Sequence, residues 1–112
     1  MERHFFPDAE LQSDVVEPGK VTRRVRAHGG RLMMVEVEFA LGSEGYAHDH
    51  LHEQTSYCLA GSFDFTVLGE TRRLGPGDSV FIPGGARHGA RCLAAGRLLD
   101  IFSPQREDFL RK

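Results

Sequence analysis

The chain contains no tryptophan, only two cysteines and no run of residues apolar enough to span a bilayer. Its opening, MERHFFPDAE, lacks the apolar core of a secretory leader, which predicts a cytoplasmic protein. Two cysteines, Cys58 and Cys92, cannot build a disulfide framework and have no CxxC spacing, so they are expected as buried free thiols. A formal net charge of −2 gives no field of one sign, which argues against nucleic acid or an anionic membrane as a partner. There is no internal repeat, no low-complexity tract and no linker. At 112 residues the chain is long enough for one domain with one core.

What the chain does have is punctuation: thirteen glycines and five prolines divide it into short pieces. Residues 32–40 (LMMVEVEFA) alternate most clearly, with Met33, Val35, Val37 and Phe39 on one face and Glu36 and Glu38 on the other. Met33 and Met34 read as core filler. Further strands are expected at 20–27, 54–60, 63–68, 71–74, 80–82 and 98–102. Turns are expected at Glu17-Pro18-Gly19, at His28-Gly29-Gly30, around Gly69-Glu70, at Gly75-Pro76-Gly77-Asp78 and at Pro83-Gly84-Gly85. The tail QREDFLRK suits a single helical turn. About ten short strands with little helix predict an all-β sandwich or barrel, and a jelly roll can hold a ligand between its sheets.

Three of the six histidines crowd into GSEGYAHDHLHEQTSYCLAG, at His48, His50 and His52. His48 and His50 are two apart, which places both on one face if that stretch is extended. His88 arrives later, after the 83–85 turn. Neutral imidazole is the commonest transition-metal ligand, so His48, His50 and His88 are candidates to hold one divalent ion. The next ligand is a question of parity: Glu53 and Gln54 point to opposite faces, and spacing does not choose between them. His52 is expected at the rim, Tyr46 is a second candidate proton donor or a rim residue, and His4 and His28 read as ordinary surface residues. In LLDIFSPQREDF, Asp100 sits among apolar residues and shares a face with Phe102. A carboxylate there is costly unless it is used. Arg106 follows in the tail.

The spacing around these residues matches known motifs. Gly42, five residues, His48-x-His50, three residues, Gln54, six residues and Gly61 resemble the first cupin motif, with Gln54 where glutamate is usual. Gly77, five residues, Pro83-x-Gly85, two residues and His88 resemble the second, with Cys92 at the place of its frequent final asparagine. The stretches LMMVEV, HLHEQTSY, GDSVFIP, RHGA and LLDIFSPQREDF are similar to the KdgF-type cupins of pectin degradation, over most of the chain from about Gly30 onward. The resemblance implies a single cupin domain, a double-stranded β-helix, with residues 1–29 as an arm or edge strands, 30–103 as the barrel and 104–112 as a tail. It also implies a homodimer. It implies a metal held by His48, His50, Gln54 and His88, with Asp100, Phe102 and Arg106 as the functional acid, aromatic and cation. Zn, Ni, Fe and Mn all suit three imidazoles and an amide oxygen.

The implied activity is conversion of 4,5-unsaturated uronate monosaccharides, released by pectin or alginate lyases, into linear keto acids. Asp100 would move the proton, Arg106 would grip the carboxylate and Phe102 would pack on the sugar. Two other classes remain on the sequence alone. A metal-dependent oxygenase would consume oxygen, and a uronate-sensing cupin would bind without turnover.

Overall fold

The computed structural model describes residues 2–110, with Tyr46 through its backbone only. Among them are eight strands: β1 Asp14–Glu17, β2 Val21–Gly29, β3 Leu32–Phe39, β4 Glu44–His48, β5 Glu53–Val67, β6 Glu70–Leu74, β7 Ser79–Ile82 and β8 His88–Ser103. A 3₁₀ turn, Asp8–Glu10, precedes them and one helical turn, α1 Glu107–Leu110, closes the described chain. All pairings are antiparallel, in the order β1-β2-β3-β8-β5-β6, with β4 added to β8 and β7 to β5. The expected strands are present, but fewer and longer than about ten. The stretches expected at 54–60 and 63–68 are one strand, and the strand expected at 98–102 is the end of a 16-residue one.

The two long strands make the barrel. β5 pairs with β7 through Gln54–Tyr57 and with β6 through Phe63–Val67, while β8 pairs with β4 near its start and with β3 near its end. The β5–β8 ladder runs the whole length of both, and its register slips three times between Cys58 and Phe63. The bulges let one continuous sheet fold over on itself, so its halves face each other as two layers. Glycine is required at that fold. Gly61 has φ +85°, and a Cβ there would lie 2.5 Å from the Ala94 carbonyl oxygen and 2.6 Å from the Gly96 Cα. A Cβ on Gly96 would in turn collide with the backbone of Ala60. Gly61 therefore bends its strand instead of ending it, because the partner strand supplies hydrogen bonds on both sides of the corner.

The alternation of β3 is as expected: Met33, Val35 and Phe39 are buried, and Val37 packs beside them. Met34 is on the opposite, half-buried face, across from Ile101, so only one of the two methionines fills the core. Phe63, Phe65, Ile82 and Leu98 fill one end of the interior, and Met33, Val35 and Phe102 the other. Complete burial of each such side chain contributes about 1.5–3 kcal/mol. Cys58 and Cys92 are buried free thiols, and burial raises the pKa of both. The β5–β6 hairpin turns on Leu68 and Gly69, one residue earlier than expected, with φ +50° and +83° as a primed two-residue turn needs. β2 runs on through His28 and Gly29, which were expected in a turn. No helix of the described residues is long and apolar enough to cross a membrane.

Candidate metal centre

The β4–β8 ladder places His48 directly across from His88, with ring centroids 4.4 Å apart. His50 does not share a strand with His48, as its period of two suggested: β4 ends at His48, and the following loop carries His50 back toward the pair. Its ring lies 5.4 Å from His48 and 4.8 Å from His88. The ligand atoms of the three histidines all fall within 4.8 Å of one another. Two bonds of about 2.0–2.1 Å to one ion set their donor atoms about 3–4 Å apart, so a small closing of the rings would bring all three onto one ion.

Backbone carbonyls fix which ring nitrogen is bare. His50 Nδ1–H donates to the His52 carbonyl oxygen at 3.0 Å, and His88 Nδ1–H donates to the Ala86 carbonyl oxygen at 2.9 Å. Each ring then presents a lone pair on Nε2. Burial holds the pKa of both His50 and His88 below the usual imidazole value, as do the neighbouring histidines and Arg106, so both rings are mainly neutral at pH 7. His52 serves through its carbonyl; its ring Nδ1 is buried with no hydrogen-bond partner, 5.3 Å ring to ring from His50.

The parity of β5 puts Glu53 outside and Gln54 inside, 6 % exposed. Gln54 Oε1 lies 3.0 Å from His50 Nε2. With the His50 proton on Nδ1 both atoms are acceptors, and a cation between them reconciles their approach. The donor set therefore fits a divalent ion, by its chemistry as well as its spacing.

Beside the cluster, the β5–β8 register sets Gln54 opposite Phe102 and Ser56 opposite Asp100. The Gln54 amide nitrogen donates to Ser56 Oγ at 2.9 Å, and Ser56 donates to Asp100 Oδ1 at 2.6 Å. Burial raises the Asp100 pKa to about 6; hydrogen bonds from Ser56 and Gln54 and the charge of Arg106 offset only part of that. Phe102, 3 % exposed, belongs to the core cluster with Met33 and Val35, and its ring edge also meets His50 at 5.8 Å. It is a core residue and a wall of the cavity at once.

The tail is more than a solvated end. His28 Nδ1 donates to Gln105 Oε1 at 2.9 Å, and the Gln105 amide donates to the Gly30 carbonyl oxygen at 2.7 Å. His28 is thus a tether, contrary to the surface role read from the sequence. That tether aims Arg106 at the cavity, where its guanidinium lies 5.3 Å from the Phe102 ring and 4.3 Å from the Phe109 ring. Arg106 also donates from Nε and Nη2 to the two carboxylate oxygens of Asp108, at 3.1 and 2.9 Å. That leaves the Nη1–Nη2 edge, with two hydrogens on Nη1 and one on Nη2, as its remaining donor face. Several of these groups border one cavity of about 570 Å³, whose lining includes His48, Gln54, His88, Asp100, Phe102 and Arg106. This volume lies in the range of small-molecule sites.

Sequence reasoning missed Ser56, Phe109 and Arg23. Arg23 borders the same cavity and stacks 3.8 Å from the Phe109 ring. Ser56 was legible in principle, since it is in phase with Gln54 on β5. Arg23 was legible through its phase with Val21 and Val25 on β2. The proton-donor reading of the Tyr46 side chain lies outside the described residues.

Comparison with known proteins agrees with this geometry. A family model described as Cupin domain matches residues 35–102. The chain is 39 % identical to the pectin degradation protein KdgF of Dickeya dadantii (strain 3937) over 110 residues, covering 96 % of this chain and 99 % of that protein. The solved structure of KdgF from Halomonas sp. superposes with TM-score 0.88 at 40 % identity, over 95 % of this chain and 99 % of the other. An RmlC-like cupin from Shewanella frigidimarina NCIMB 400 gives TM-score 0.91 at 39 % identity, over 96 % of each chain.

Proposed function

This chain belongs to the cupins and, within them, to the KdgF family, and from that premise we propose that it converts 4,5-unsaturated uronate monosaccharides into linear keto acids at the cavity of Asp100. The observation that carries the reading is a buried carboxyl of raised pKa on the same cavity as His48, Gln54, His88 and a guanidinium, with His50 completing the histidine cluster beside it.

The substrate is a cyclic enol ether with a carboxylate on the enol carbon. Loss of the proton from the hemiacetal hydroxyl forms the aldehyde and breaks the bond from that carbon to the ring oxygen. The electron pair stays on the former ring oxygen as an enolate. Protonation of C4 then gives the ketone, so the reaction is an isomerisation with no outside oxidant or reductant. Asp100 takes the hydroxyl proton as base and returns it to C4 as acid. A pKa of about 6 suits both roles near neutral pH. Arg106 holds the substrate carboxylate through the Nη1–Nη2 edge, or through the Nε–Nη2 edge by displacing Asp108. Phe102 packs against the sugar and keeps water from the enolate. His48, His50, Gln54 and His88 hold the ion, one of Zn, Ni, Fe or Mn. When bound, it supplies a Lewis acid for the carboxylate and the developing enolate oxygen.

The test is spectroscopic. Added protein is expected to accelerate loss of the conjugated enoate absorbance of an unsaturated uronate, and a chelator is expected to stop it. A rate equal to buffer would remove the ketonisation reading, and oxygen consumed in step with substrate would favour the oxygenase class instead.

Two buried free thiols suit a reducing, cytoplasmic setting. A homodimer is the assembly we favour. Tyr57 and Phe81, 42 % and 54 % exposed, lie on neighbouring strands with Leu59, Leu99 and Ile101 on the outer sheet face. Sedimentation is expected to give twice the 12.5 kDa chain mass. Tyr57→Glu is expected to halve that value; a wild type that sediments as one chain removes the dimer.

A further inference from the structure

We propose that Ser56 is a positioning residue: it fixes the Gln54 amide so that oxygen, and not nitrogen, faces the metal position. The inference rests on the reading of Gln54 as a ligand and goes beyond it, to what makes a glutamine serve there.

An amide has two nearly isosteric ends, and only the oxygen end can bind a cation. Something must therefore choose the end. Ser56 is completely buried and has one proton to give. Its Oγ lies 2.6 Å from Asp100 Oδ1 and 2.9 Å from the Gln54 side-chain nitrogen. A carboxylate only accepts, so the Ser56 proton goes to Asp100. The Ser56 oxygen must then accept from Gln54, which only the NH2 group can satisfy. The register holds this in place, because Ser56 stands directly across from Asp100 and two residues from Gln54 on the same face.

The other end of the amide shows why the choice matters. Gln54 Oε1 faces His50 Nε2 at 3.0 Å, and the His52 carbonyl has already taken the His50 proton at Nδ1. Without a cation these two acceptors repel. A free amide would turn over and donate its NH2 to His50 Nε2, which would cost the centre both an oxygen ligand and a bare imidazole nitrogen. Ser56 opposes that turn, and so does Asp100, which the Gln54 amide also reaches. A glutamate, the residue usual at this place in the first cupin motif, presents oxygen at either end and needs no such partner. Ser56 and Gln54 thus act as a unit, and the same hydrogen-bond chain ties Asp100 to the metal position.

The experiment is metal binding, independent of turnover. Dissociation constants for Zn or Ni are measured by competition with a chromophoric chelator for the wild type, Ser56→Ala, Gln54→Ala, Gln54→Glu and Gln54→Glu/Ser56→Ala. Ser56→Ala is expected to weaken binding 10- to 100-fold, as loss of a partner that orients a ligand does. In the Gln54→Glu background the same substitution is expected to change affinity by less than about threefold. Wild-type affinity in Ser56→Ala overturns the inference, as does an equal loss in both backgrounds, which would indicate packing and not orientation. Wild-type affinity in Gln54→Ala removes the ligand reading and the inference with it. A metal-binding protein that behaves as expected here but leaves uronates untouched would keep this inference and sink only the proposed reaction.

Discussion

Asp100→Asn is expected to lower kcat by about 10²- to 10⁴-fold, the usual weight of a positioned acid–base group, with metal content unchanged. The substitution keeps shape and lets Ser56 donate to the amide oxygen, but it removes the group that can carry a proton from hydroxyl to carbon. The same substitution is expected to stabilise the metal-free protein. Burial raises the Asp100 pKa from 3.8 to about 6, so the folded protein holds this proton more tightly than the unfolded chain. The stability linked to Asp100 is then fully present below about pH 3.8 and is lost as pH rises through about 6. At pH 7 and above the cost reaches about 3 kcal/mol, an upper figure that a bound cation would reduce. His50 and His88 work in the opposite sense. Their pKa values are lowered, so their contribution is present above the ordinary value of 6.5 and is lost as pH falls below it. The difference between wild type and Asp100→Asn isolates the carboxyl. In chelator, the variant should melt higher at pH 7.5 and match wild type at pH 4. An Asn variant with wild-type turnover would end the proton-transfer role, and one that melts no higher at pH 7.5 would show that burial does not strain this carboxyl.

This trade between stability and chemistry explains which parts of the molecule the sequence announces. β3 was readable because its neighbours in the ladder are apolar on one face only, which leaves a period of two in the chain itself. His88 and His48 were readable as a pair by chemistry, and the ladder then sets them opposite one another. The corner was not readable. Gly61 looks like the end of a strand, and its role as a bend depends on Gly96, which arrives 35 residues later and presses its backbone against the same spot. His50 was placed on the right side for the wrong reason, because the loop after β4 and the His52 carbonyl orient it, and not a strand. His28 looked idle because its partner, Gln105, is 77 residues away. Local alternation leaves a mark in a window of a few residues, whereas a tether, a corner or a relay is a property of two distant windows brought into register.

His88→Ala is expected to reduce bound metal from near one per chain to a trace and to bring turnover down to the rate seen in chelator. His88 is 3 % exposed, its ring is fixed by the Ala86 carbonyl, and burial keeps it mainly neutral, so protons compete little for Nε2 at pH 7. Imidazole and amide are uncharged ligand types, so affinity depends on their number and geometry and not on charge neutralisation. Losing one of four such ligands leaves a site with little advantage over water. The substitution also opens a hole beside Phe65, whose ring lies parallel to that of His88 at 6.5 Å, and unfolding could mimic loss of metal. His48→Ala separates the two effects, since His48 is exposed at the cavity mouth and its truncation costs the core little. Both variants should lose the ion by elemental analysis, and only His88→Ala should lower the melting temperature of the chelated protein. His52→Ala is the counterpart: the carbonyl that orients His50 survives the substitution, so metal content should stay near one per chain. Retention of stoichiometric metal in both His48→Ala and His88→Ala would place the ion elsewhere and leave the cavity without its Lewis acid.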